Sequence, residues 1–157
     1  KSEEFTNKSE ILRFFDDINN LVLKNNTRLI RKKMNRDTLM VDYTSVDKNN
    51  ALVNWENVYS DNVDYTLTDE VIRQMIRDLK VDQVRYKDYI GFVFCQENYC
   101  KTKSMGSEIV VFFRIYDLEP LYIKRFSVPP HGIGFLNYWG FQTIYTLALL
   151  NKIEKEL

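Results

Sequence analysis

Histidine occurs once in the 157 residues, cysteine twice, proline three times and glycine five times. His131, Cys95 and Cys100 together fill at most three ligand places, so no tetrahedral zinc site and no paired-histidine motif can be written, and no metal is expected. No Gly-x-Ser-x-Gly turn is present, and a Ser-His-Asp triad would depend on His131 alone. Scarce proline and glycine also mean no linkers and no low-complexity tracts, and no internal repeat is visible. An excess of one charge is missing too: Lys plus Arg and Asp plus Glu both number 22. That balance argues against nucleic acid as a partner, which calls for a net positive field.

Two glycines in His131-Gly132-Ile133-Gly134 precede an apolar run. The third glycine of a dinucleotide fingerprint and the Gly-Lys-Ser/Thr of a P-loop are both missing, and two prolines stand before it. No cofactor is therefore expected. Paired acids at Asp16-Asp17 and Asp69-Glu70 point in different directions on a helix, as adjacent residues do, and are assigned to solvated faces. The first residue is Lys, the mark expected of a processed product or a fragment, so no targeting signal is read from the chain.

No Asp, Glu, Lys or Arg lies between Arg125 and Lys152. Such a run must be tested as a membrane span. Gly132, Gly134, Asn137, Gly140, Gln142, Thr143 and Thr146 dilute its apolarity and Pro129-Pro130 block helix at its start. The expectation is a buried C-terminal helix over 133–150, with no membrane span.

What is present is the composition of one globular domain, 45% hydrophobic and 28% charged, and a single domain over 1–157 is expected. At this length folding buries roughly 70% of the extended chain's surface, enough for a core that needs no metal or disulfide framework. Ile11, Phe14, Phe15, Ile18, Leu21 and Val22 recur at helical spacing from Asn7 to Leu23, with Asn7 as the cap and Asn25-Asn26 ending or weakening the helix. Residues 38–46 are β-branched and aromatic and are expected to form a strand, with a shorter one at Ala51–Trp55. Thr68, Asp69 and Glu70 open a second clear helix that presents Val71, Ile72, Met75, Ile76 and Leu79 on one face and exposes Arg73 and Arg77.

The period then changes to two. Strands are expected at Val84–Phe94, Glu108–Tyr116 and Leu121–Val128, joined by connections too short for parallel crossovers. The fold class that follows is α+β: an antiparallel meander of three to five strands covered by N-terminal, central and C-terminal helices. Cys95 and Cys100 are spaced to bridge across a tight turn if the flanking strands pair, so a disulfide between them is one expectation and two free thiols the other.

Two features point to a contact surface. Arg28, Arg31, Lys32, Lys33 and Arg36 cluster within nine residues, while 42–70 hold seven acids against Lys48 alone, a split that marks two solvated surfaces or a basic strip for an acidic partner. Aromatic residues make up 14% of the chain and crowd its C-terminal half. On a helix, Phe135, Trp139 and Tyr145 are placed on one stripe and Tyr138 and Phe141 off it, more rings than one stripe buries. The expected function is a non-catalytic binding or protein-interaction domain using an aromatic surface near the C-terminal helix. Its site residues would be Tyr138, Phe141 and His131, joined by Arg28, Arg31 and Lys32, and its partner a protein or a small apolar ligand. The alternative is a small hydrolase or transferase using His131 with an acid or a cysteine.

Overall fold

The computed structural model describes residues 7–150, the side chains of Lys24, Asn25 and Trp55 apart. The chain ends included in the single-domain expectation lie outside them. Asn7 caps the first helix, α1 (Lys8–Asn19): its side-chain oxygen accepts the Glu10 N–H at 3.1 Å, and Ile11, Phe14 and Ile18 turn inward at intervals of three and four. Asn25-Asn26 do not end the helical path. A π-helical turn at Asn20–Lys24 carries it into α2 (Asn25–Lys33). Asn26 Nδ2 donates to the Leu21 carbonyl and Thr27 Oγ1 to that of Leu23, supplying bonds at the point where the widened turn departs from the α-helical ladder.

The strand expected at 38–46 is absent. Asp42 instead caps a helix, α3 (Tyr43–Asn50), accepting the Thr44 N–H at 2.9 Å and the hydroxyl of Ser45 at 2.9 Å. A local cap with two acceptors outweighs β-propensity where no neighbouring strand offers a ladder. The shorter strand expected at 51–55 is a turn running into a 3-10 segment at Trp55–Asn57. In α4 (Asp69–Arg77), Thr68 caps as expected, but only Ile72 and Ile76 are buried; Val71 is 44% exposed and Met75 36%. This two-turn helix touches the sheet along one i,i+4 edge, which is narrower than its apolar stripe.

Three strands, β1 (Ile90–Cys100), β2 (Met105–Arg114) and β3 (Pro120–Val128), form an antiparallel sheet in sequential order. With α1 to α5 (α5, Phe135–Leu149), this makes the described chain α+β. The unbroken apolar run in β2 has its reason in the packing, because the central strand is covered on both faces. On one face Val110, Phe112 and Phe126 pack with Phe14, Ile18, Val22, Ile30, Trp139 and Leu147 from the helices. On the other, Ile109, Val111 and Phe113 pack with Cys95, Ile72 and Ile76.

A bulge interrupts the β1–β2 ladder between Gln96 and Asn98. It places Tyr99 opposite Gly106, on the Trp139 face, where an unbroken alternation would turn it away. The extra residue, Glu97, is held on the opposite face. Its carboxylate accepts from Arg125 Nε and from the Leu67 N–H at 2.6 Å, and from the Ser107 hydroxyl. Burial pulls the Glu97 pKa upward, but these bonds from Arg125, Ser107 and Leu67 outweigh it and hold the carboxyl below its ordinary value. The group fastens the 63–67 segment to the sheet.

The disulfide is corrected by the same strand. Cys95 and Cys100 both lie within β1, with no turn between them, and both thiols are free. Five residues of extended chain separate them by about 16 Å, well beyond disulfide reach.

Candidate interaction surface on the C-terminal helix

Pro129-Pro130 end β3, and Gly134, at φ +83°, sets the start of α5 in a conformation that disfavours any side chain. The helix has no side-chain cap; Asn137 Nδ2 instead donates back to the Ile133 carbonyl at 3.1 Å. With no ionisable side chain other than two tyrosines, α5 has no charged face to mark its outside. The structure distributes its residues in an inverted way. Inward it buries Trp139, Gln142, Thr143, Thr146 and Leu147, three of them polar; outward it presents Phe141 at 42% exposure and Tyr145 at 58%. Ile133, just before the helix, is 93% exposed.

These positions revise the stripe read from the sequence. Six residues at 3.6 per turn carry Tyr145 about 120° round from Trp139 and close to the line through Phe141. Tyr145 therefore joins Phe141 outside, while Tyr138 is half-buried, its ring edge-on to Trp139 at 5.0 Å. His131 is exposed in the loop; its main-chain N–H donates to the Tyr138 carbonyl, and its ring bonds no acid or thiol among the described residues. The Cys95 thiol, pushed up to about 12 by burial, is not available as a nucleophilic thiolate.

Beneath the helix lies a polar seam that the sequence did not announce. Glu108, in the middle of β2, is fully buried against α5, and Thr143 Oγ1 donates to its Oε2 at 2.8 Å. Burial raises its pKa to about 7; the Thr143 hydrogen bond and the nearby Thr146 hydroxyl, which lies outside good hydrogen-bond geometry, pull in the other direction. Glu108 Oε1, both amide atoms of Gln142 and Thr146 Oγ1 have no hydrogen-bond partner among the described residues. Gln142 sits directly on Gly106, where an added Cβ would overlap its amide and force that amide to shift.

Arg28, Arg31 and Lys32 are exposed on α2 and form no ion pair with described residues. The next residue, Lys33, reaches α5, its Nζ 3.5 Å from the Ala148 carbonyl. The basic strip thus borders the C-terminal end of the aromatic stripe. Two hollows of the surface lie elsewhere: a groove of about 230 Å³ beside Tyr65, Glu97 and Lys103, and one of about 220 Å³ between Asp16, Tyr43 and Asp47. Among the described residues no cluster of His, Cys, Asp or Glu could hold a metal, and no helix is long and apolar enough to cross a membrane. Comparison with protein-family models, with curated proteins and with solved structures finds no match for this chain.

Proposed function

We propose that this chain is a non-catalytic interaction domain whose contact face is the outer side of α5. The observation that carries it is the pairing of two exposed rings, Phe141 and Tyr145, with an almost fully exposed Ile133 on an element that has no charged residue. Single exposed apolar residues are ordinary, whereas an uncharged aromatic stripe along a helix is the composition of a surface that is covered in use. Tyr138 contributes from the half-buried edge, and Arg28, Arg31 and Lys32 supply charge beside it. The alternative, a small hydrolase or transferase built on His131, draws no support from an exposed imidazole without an acid or thiol in hydrogen-bond reach.

The test compares Phe141→Ala and Tyr145→Ala with Trp139→Ala in thermal melts and in titration with an apolar fluorescent dye. Replacing either outer ring is expected to leave the melt almost unchanged and to reduce dye binding, while loss of Trp139 costs about 3–5 kcal/mol. Outer-ring variants that destabilise as strongly as Trp139→Ala would make these rings core and end the proposal.

A further inference from the structure

In a sheet ordered β1, β2, β3 the two outer strands each point alternate N–H and C=O groups away from the ladder. No hydrogen bond between main-chain groups joins residues 90–94 to any described segment other than β2. The two edges differ in chemistry. β3 opens on Pro120 and carries Lys124 and Arg125 near its middle, features that resist the docking of another strand. From Tyr89 to Gln96 the β1 edge has no Asp, Glu, Lys, Arg or Pro. Further along β1 the 63–67 segment is already fastened, Leu67 to Glu97 and Tyr65 to Asn98, so the open stretch is 90–94. Its side chains are only partly covered: Phe92 and Phe94 border the core on the α5 face, Val93 borders the core on the α4 face, and Ile90 is 52% exposed.

The pattern of this stretch is its own complement. A two-fold axis through Phe92, perpendicular to the sheet, lays a second β1 antiparallel to the first, with Ile90 opposite Phe94, Phe92 opposite Phe92 and Gly91 opposite Val93. Every pair is free of charge, and each residue keeps the face it already occupies, so both cores continue across the junction. With 22 acids and 22 bases the chain has no net charge to hold two copies apart. Pairing ends at two chains, because the edges left over are both β3.

We infer that residues 90–94 pair with the same edge of a second copy, giving a two-fold dimer with one continuous antiparallel sheet. The surface is separate from the outer stripe of α5 and does not depend on it. Sedimentation velocity of the full chain from about 1 to about 100 µM, with amide hydrogen exchange at both ends of that range, tests it. The expected result is a discrete species of two chains that grows with concentration, and outward amides within 90–94 that exchange at least tenfold more slowly in it. Ile90→Lys should weaken the dimer at least tenfold with the melt of the dilute chain unchanged, whereas Leu52→Lys, the same change at an exposed leucine elsewhere, should leave it intact. If Ile90→Lys melts early, hydrogen exchange on the unaltered chain decides. Monomers at every concentration, growth past two chains, or a dimer whose 90–94 amides exchange as fast as in the monomer would each overturn the inference. So would a dimer kept by a folded Ile90→Lys but lost on Phe141→Ala with Tyr145→Ala, which would place the contact on α5 instead.

Discussion

Glu108 makes the stability of this protein depend on pH in a direction unusual for a carboxylate. Its pKa rises from 4.5 to about 7 because the charged form would be buried between β2 and α5, with Thr143 donating and with no cation among the described residues paired to it. The surroundings offer little compensation. On β1, Tyr99 has its own pKa raised by burial and by the Glu108 charge; on β3, Phe126 stands opposite, with the Lys124 Nζ over that ring. On α5 the residues meeting Glu108 are the hydroxyls of Thr143 and Thr146. Between pH 4.5 and about 7 the folded chain holds a proton that the unfolded chain has released, so the folded state loses stability as pH rises. The contribution is fully present below pH 4.5 and gone above about 7. That interval, at about 1.4 kcal/mol per pH unit, comes to about 3 kcal/mol, or roughly 6–12 °C in Tm at this chain length. Urea melts at pH 5 and pH 8 measure it, with Glu108→Gln as the control. The variant should match the native chain closely at pH 5 and exceed it by about 2–3 kcal/mol at pH 8, where only the native chain carries a buried charge. A native chain equally stable at both values, or a glutamine variant with the same pH slope, would refute the reasoning.

Ile76→Ala should cost about 2–4 kcal/mol in urea melts, whereas Val71→Ala and Arg73→Ala should each stay within about 0.5 kcal/mol; equal effects would mean that α4 does not lie on its Ile72–Ile76 edge. Arg125→Ala leaves Glu97 buried without its main partner. Because the arginine side chain is itself 40% exposed, the expected cost is about 2 kcal/mol rather than the 3–5 kcal/mol of a fully buried pair, checked by the same melts. The non-reduced chain should show the mass of two free thiols, and in native buffer Cys100 should alkylate faster than the buried Cys95; a mass lower by two hydrogens would contradict the β1 placement.

The elements legible in the sequence were those whose signal is local and strong. The Asn7 and Thr68 caps, the inward triplet Ile11, Phe14 and Ile18, and the antiparallel meander each follow from a pattern a few residues long, but 84–89, expected to open the first strand, is turn and bend, and β1 begins only at Ile90. Residues 38–46 went the other way because β-propensity describes a pleated, half-buried surface, and no strand among the described residues lies beside them. Asp42 decided the local conformation with two hydrogen bonds. The cysteine spacing misled for a related reason. A bridge across a turn required β1 to end near Phe94, but the strand runs on to Cys100, helped by a bulge at Glu97 that no composition rule marks.

The proposed contact face was only half legible, and the cause is the uniform apolarity of α5. A helix with charge on one side declares its outside; one without charge leaves the choice to packing. Here the choice went against hydrophobicity rank. Gln142, Thr143 and Thr146 lie inside because they face Gly106 and Glu108, while Phe141 and Tyr145, larger and more apolar, are left outside. Leaving buried polar atoms without partners costs about 1–3 kcal/mol each, and turning α5 round to bury the rings would place aromatic bulk where Gly106 admits only close approach. The small residue in β2 leaves room for the buried Gln142 amide, and in this rotation of the helix the aromatic stripe lies outside. Gly106→Ala separates this cause from a mere spacer role: it should force the Gln142 amide away, loosen α5 and lower stability, with Trp139 fluorescence shifting to the red as water reaches the ring. An alanine variant with native stability and an unshifted spectrum would show that the orientation of α5 does not depend on Gly106.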